Sequence, residues 1–149
     1  MDQHSITETL IMYHEAFAEP DAARRLDLLA RSMTPDAEIW GPKRVYAGYE
    51  AISGKIKGFH GNWPGCRLGL TTGFNVFLNT AHLGIAILGP DGAVRASGSS
   101  VIEFADDGRI KRVLALWEAL PPLPANWPGQ FAPTEHEERP SAQLSGDRP

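Results

Sequence analysis

Apolar residues Ile6, Leu10, Tyr13 and Phe17 recur at steps of three and four, the spacing that gathers one face of a helix. Ser5, with Glu8 three residues on, offers a capping box for its start. Glu19-Pro20-Asp21 breaks this helix, and Asp21 can cap a second one over 22–33, with Leu26, Leu29 and Met33 on one stripe. Thr34-Pro35-Asp36 ends it. Short extended pieces are expected at Glu38 to Trp40 and Arg44 to Tyr46, separated by Gly41-Pro42. A third helix follows over 49–60, turning Ile52, Ile56, Phe59 and His60 inward. His60 to Gly65 then reads as a loop, because two glycines and a proline fall within six residues.

The pattern then switches from helical spacing to alternation. Residues 67–79, 81–89, 93–105 and 109–118 read as strands, most clearly at Leu83/Ile85/Ile87 and at Val113/Ala115/Trp117 against Leu114/Leu116. Asn79-Thr80, Gly89 to Gly92 and Asp106 to Gly108 mark the turns. Strands joined by short turns make an antiparallel meander, and no parallel crossover is indicated. Helices first and strands after predict an α+β domain with three N-terminal helices on a curved, mainly antiparallel sheet.

After Glu118 the composition changes. Seven of the 12 prolines lie in 119–149, which predicts a polyproline-like tail outside the domain of 1–118. Its first part could dock through Trp127 and Phe131. Asn-Trp-Pro-Gly occurs at 62–65 and again at 126–129, but the flanks differ and no repeat follows. The chain has 149 residues, one cysteine and a net charge of −4. One cysteine leaves no disulfide framework, and the acidic balance argues against nucleic acid or an anionic membrane surface. Without an apolar run of about 20 residues or a basic, apolar N-terminus, a cytoplasmic protein is expected.

The residues Pro35-Asp-Ala-Glu-Ile-Trp-Gly-Pro, Tyr46-Ala-Gly-Tyr-Glu-Ala-Ile and Asp107-Gly-Arg-Ile-Lys-Arg-Val, in this order of elements, resemble the nuclear transport factor 2 (NTF2)-like superfamily. The resemblance is strongest to its SnoaL-like polyketide cyclase and ketosteroid isomerase branch, and covers about 6–118. It implies a cone-shaped fold, and often a homodimer paired through the outer sheet face; here Leu114 and Leu116 would lie on that face. It also implies a tyrosine oxyanion donor in the first helix, a position held by Tyr13. The base and second acid of the steroid isomerases fall at Gly41 and about Ser100, so that mechanism does not carry over. The aspartate-arginine-aspartate set of limonene epoxide hydrolases is not apparent either.

Acid–base chemistry must then rest on other residues. His60 on an apolar stripe and Tyr13 are the candidates for proton transfer and oxyanion stabilisation, with Ser100 as a further donor. The alternative for each is a hydrogen-bonded core residue. Phe17, Trp40, Phe59, Trp63, Phe74 and Trp117 are expected to line the cone and hold a flat, small apolar ligand. The alternative is that they merely fill it. His82 and Glu38 are open between pocket and surface; Glu103 is expected outside, and Glu118 near the cone mouth. Metal-ligand spacings are missing, Cys66 beside Arg67 lacks a histidine neighbour, and Gly54-Lys55 within a helix is no phosphate loop. The expected function is cofactor-free isomerase or lyase chemistry on a polyketide-, terpenoid- or steroid-like molecule. A non-catalytic binder and a sheet-mediated association domain are the rivals.

Overall fold

In a computed structural model, which describes residues 2–117 and 119–128, the order is α1 (Gln3–Ala18), α2 (Ala22–Ser32), β1 (Met33–Trp40), β2 (Val45–Ala47), α3 (Tyr49–Asn62), β3 (Arg67–Phe77), β4 (Thr80–Leu88), β5 (Val94–Phe104) and β6 (Ile110–Leu116). The chain divides into two units, Met1–Glu118 and Ala119–Pro149.

The expected stripe of α1 is buried: Ile6, Leu10, Tyr13 and Phe17 all enter the core. The cap lies further upstream than expected. Asp2, not Ser5, accepts the backbone N–H of Ser5 at 2.8 Å, because a carboxylate before the first turn reaches a free donor there. Asp21 does cap α2, accepting the Arg24 N–H at 2.9 Å. Arg25, buried at the junction of the helices, donates from Nε to the Ser53 hydroxyl at 2.9 Å and from Nη1 to the Glu19 carbonyl at 2.7 Å. One side chain thus ties the end of α1 and the body of α2 to α3. Helix α3 runs on through His60 and Gly61 to Asn62, past the point where a loop was expected.

The six strands form one sheet in the order β2-β1-β6-β5-β4-β3. Neighbours from β6 to β3 are antiparallel, as alternation and short turns predict. The expectation of no parallel pairing is corrected at β1, which runs parallel to β6 with Ile39 opposite Val113. The connection spans most of the domain and leaves no local turn signal. Strand β1 also starts earlier than expected, at Met33. Its register with β6 shifts between Met33 and Glu38, the stretch that contains Pro35, which has no N–H for the ladder. The β3–β4 turn sits at Leu78 and Asn79, one residue before the expected place, and puts Leu78 at φ 55°.

Alternation gives the sheet two unlike faces. Ile39, Leu83, Ile85, Ile102 and Val113 point to the helices and share one core with Ile52 and Ile56 of α3. The opposite face carries Trp40, Val101, Leu114 and Leu116 beside the charged group Glu38, Glu103 and Arg112. Arg109 anchors the β5–β6 turn: its Nε pairs with Asp107 at 2.9 Å and its Nη1 donates to the Ala30 carbonyl at 3.1 Å. No helix among the described residues is long and apolar enough to cross a membrane. In the second unit, residues 119–128 are irregular and exposed, with one turn in which the Trp127 N–H donates to the Pro124 carbonyl at 3.0 Å. Phe131, expected to help dock this segment, lies outside the described residues.

Candidate functional site

Between the helices and the inner sheet face lies a cavity of about 670 Å³, within the size range of small-molecule sites. Its helix wall comes from Tyr13 and Phe17 of α1 and from Ala51, Gly54, Lys55, Gly58 and Phe59 of α3. At Gly54 and Gly58 an added Cβ would meet nothing within 4 Å, so these glycines leave open space that a larger side chain would take up. The sheet wall comes from Leu68, Ile85, Ile87, Ala96, Ser100, Ala115 and Trp117. Ala96 and Ser100 alternate with Gly98, opposite the larger Ile87, Leu83 and Ile85 of β4. A Cβ on Gly98 would stand 2.5 Å from the Leu116 carbonyl and 3.0 Å from Cε3 of the Trp117 ring. Only a bare backbone there lets Trp117 lie across β5 at the cavity wall.

Two hydroxyls lie deep in this mainly apolar space. Tyr13 and Ser100 are each 3% exposed and both line the cavity. Neither hydroxyl has a hydrogen-bond partner among the described residues. Burial pushes the Tyr13 phenol above its ordinary value, so it stays protonated at neutral pH and acts as a donor. Its ring is fixed by an edge-on contact with Phe17 at 5.2 Å, and Phe17 meets Phe59 edge-on at 6.2 Å.

His60 does not join them. It is half-buried and lies off the cavity, and its Nε2–H donates to the Phe17 carbonyl at 2.6 Å. The inward placement expected for it is therefore corrected: its ring closes the end of α3 onto α1. Trp40 is corrected too. Because Ile39 takes the inward position, Trp40 faces outward, 41% exposed, donating from Nε1 to Glu38 at 2.9 Å and covered by Arg112 at 5.0 Å. Phe74 packs against the core opposite Leu83 without reaching the cavity. Phe17, Phe59, Trp63 and Trp117 do line it, Trp63 at the exposed rim. His82 is exposed on the outer face between Asn75 and Val101, and Glu38 and Glu103 are on that face as well. Gly41 forms the β1–β2 turn, its N–H donating to the Arg44 carbonyl at 2.9 Å. Cys66 is a free, half-buried thiol; Glu118 lies outside the described residues.

Among the lining residues that sequence reading did not single out, four carry polar or charged groups: Arg44, Tyr46, Lys55 and Asn62. Lys55 follows Ile52 by three and precedes Phe59 by four, so helical spacing already assigned it to this face. Desolvation lowers its ammonium from the ordinary value. No Asp, Glu or His lines the cavity among the described residues. No group of three His, Cys, Asp or Glu side chains among them could hold a metal ion.

No protein-family model matches the chain, and no curated protein matches it. Solved structures do. A candidate isomerase of the SnoaL-like family from Agrobacterium tumefaciens superposes with a TM-score of 0.71 at 22% identity, over 78% of this chain and 100% of that one. A candidate SnoaL-like polyketide cyclase from Jannaschia gives 0.62 at 14% identity, over 78% and 90%. An NTF2-like protein of unknown function from Exiguobacterium gives 0.57 at 15%, over 75% and 99%. The helices, the sheet and these likenesses agree: the chain has the NTF2-like fold.

Proposed function

We propose that the cone binds a small, largely apolar carbonyl compound of polyketide-, terpenoid- or steroid-like type. Tyr13 and Ser100 donate to its carbonyl oxygen, the contact that would stabilise charge developing there in an isomerase-, cyclase- or dehydratase-type reaction. The observation that carries this reading is that Tyr13 and Ser100, two largely buried residues, bring their hydroxyls to the wall of a mainly apolar cavity with no side-chain or backbone partner among the described residues. In such surroundings a hydrogen bond to an oxyanion is stronger than in water, and a fixed donor needs no reorganisation as charge develops. The phenol, held protonated, suits the part of donor and not of base. The similar structures described as candidate isomerases and cyclases support the same class of chemistry.

A second reading has its own observation. Since neither carboxylate nor imidazole lines the cavity among the described residues, a protein that binds the same ligands without turning them over fits as well. Thermal shift with apolar carbonyl compounds tests both. Compounds that enter the cone raise the melting temperature of the wild type, and Tyr13→Phe weakens that rise by the loss of one hydrogen bond, about 1 kcal/mol. Once a turnover reaction is found, Tyr13→Phe lowers its rate about 10²–10³-fold. Equal shifts and equal turnover in both proteins would remove Tyr13 from the site. Binding with no turnover of any compound in the class selects the second reading.

A further inference from the structure

Apolar walls describe most of the cavity but not its mouth. Arg44, from the turn before β2, places its guanidinium carbon 4.6 Å from the centroid of the Tyr46 ring. Lys55, from α3, places Nζ 4.8 Å from the same centroid. All three residues line the cavity. Elsewhere Arg24, Arg31, Arg95, Arg109, Lys111 and Arg112 each meet a carboxylate, while among the described residues Arg25, Lys43, Lys57 and Arg67 meet none and lie off the cavity. Among the described residues Arg44 and Lys55 meet none, and no acid lines the cavity beside them. The Tyr46 ring attracts each cation through its π face but does not neutralise either. Two like charges on one ring repel, and burying part of Lys55 carries a desolvation cost with no opposite charge to offset it.

We propose that the ligand of this cavity carries a carboxylate, held at the mouth by Arg44 and Lys55 while its planar apolar body lies inward against Phe59 and Trp117. This rests on reading the cone as a ligand cavity and makes the ligand an apolar acid in place of a neutral compound. A carboxylate supplies the missing counter-charge, and its two oxygens match the fork of a guanidinium. It also fixes polarity: with the acid end at the rim, the opposite end of the molecule faces Tyr13 and Ser100.

Calorimetric titration of the full chain with 2-naphthoate and with 2-naphthamide tests this, because the two share a shape and differ in charge. The acid is expected to bind about tenfold tighter than the amide, and to lose that advantage as salt is raised. Arg44→Met and Lys55→Met each weaken the acid several-fold and the amide much less, so that the preference for the acid falls. Lys43→Met, in the same turn but off the cavity, alters neither. Lys55→Gln serves as the second variant should Lys55→Met not fold. Equal affinities for acid and amide in the wild type, or the same loss in Lys43→Met as in Arg44→Met, overturn the proposal and leave the ligand cavity standing. If neither compound binds at about 1 mM, the cavity reading falls and the proposal with it.

Discussion

The Nδ1–H of His14 donates to the Leu10 carbonyl at 2.7 Å, and the ring meets Tyr13 edge-on at 5.2 Å. Desolvation lowers its pKa from the ordinary 6.5, outweighing the hydrogen bond to Leu10 that pulls the other way. Below 6.5 the unfolded chain therefore takes up a proton at His14 that the folded chain resists. The unfolded state binds more protons in that window, so stability rises with pH up to about 6.5 and this contribution is flat above it. Urea midpoints of wild type and His14→Phe, measured from pH 4.5 to 8, are expected to converge as pH falls, with the variant less stable at pH 8 by about 1 kcal/mol for the lost hydrogen bond. Parallel curves would show that His14 does not set the acid limb. The site itself was legible at this scale only where a residue's type and its periodic position agreed. Tyr13, Phe17 and Phe59 sit on apolar stripes and reach the cavity. His60 sits on the same stripe as Phe59, yet its helix continues two residues further, and its ring meets a backbone carbonyl before it meets the cavity. Lys55 is the converse case: a charged residue in a helix is usually solvated, yet its spacing from Ile52 and Phe59 points inward and it lines the cavity.

At the level of elements, local signals decided what could be read. Helices with apolar stripes and caps, and strands with clear alternation, were found within a few residues of their ends. Where partners were distant in sequence, reading failed: nothing near Met33 to Trp40 announces that its neighbour is β6. Trp40 shows the cost of that blindness, since the face of a three-residue strand fragment cannot be assigned until its partner is known. The β3–β4 turn carries a different lesson. Leu78 adopts φ 55°, a left-handed conformation in which its Cβ is crowded, and its side chain is 98% exposed, so no packing compensates. Leu78→Asn, which tolerates that conformation, is expected to stabilise the protein by about 0.5 kcal/mol. A drop in melting temperature would mean that Leu78 is held by contacts the exposed turn does not show.

For the whole molecule, the two faces of the sheet pose separate questions. The inner face is covered by helices; the outer face exposes half of Leu116 and 41% of Trp40, with Val101 and Leu114 between them in the ladder. A contiguous apolar strip of this kind marks an association surface more often than a solvated one. The expected outcome is a homodimer across this face, at about twice 16.2 kDa by light scattering at micromolar concentration. Leu116→Glu, which places a charge in the middle of the strip, is expected to return it to the monomer. A wild type that already runs as a monomer sinks the idea. Glu38, Glu103 and Arg112 beside the strip would then set the register of the two copies by their charges.

The parallel pairing of β1 with β6 also has a kinetic meaning. Residues near 39 must wait for residues near 113 before the sheet can close. On a ribosome the three helices and β1 emerge long before that partner exists, and β1 is left with only the three-residue β2 along one edge. Pairing over so long a stretch of chain is slow, because the loop must be ordered before the contact rewards it. The meander from β3 to β6 is built from neighbours and can form first. Closure of β6 onto β1 then becomes the late step that brings Ala115 and Trp117 to the cavity wall, so that the cavity is complete only once β6 has been synthesised.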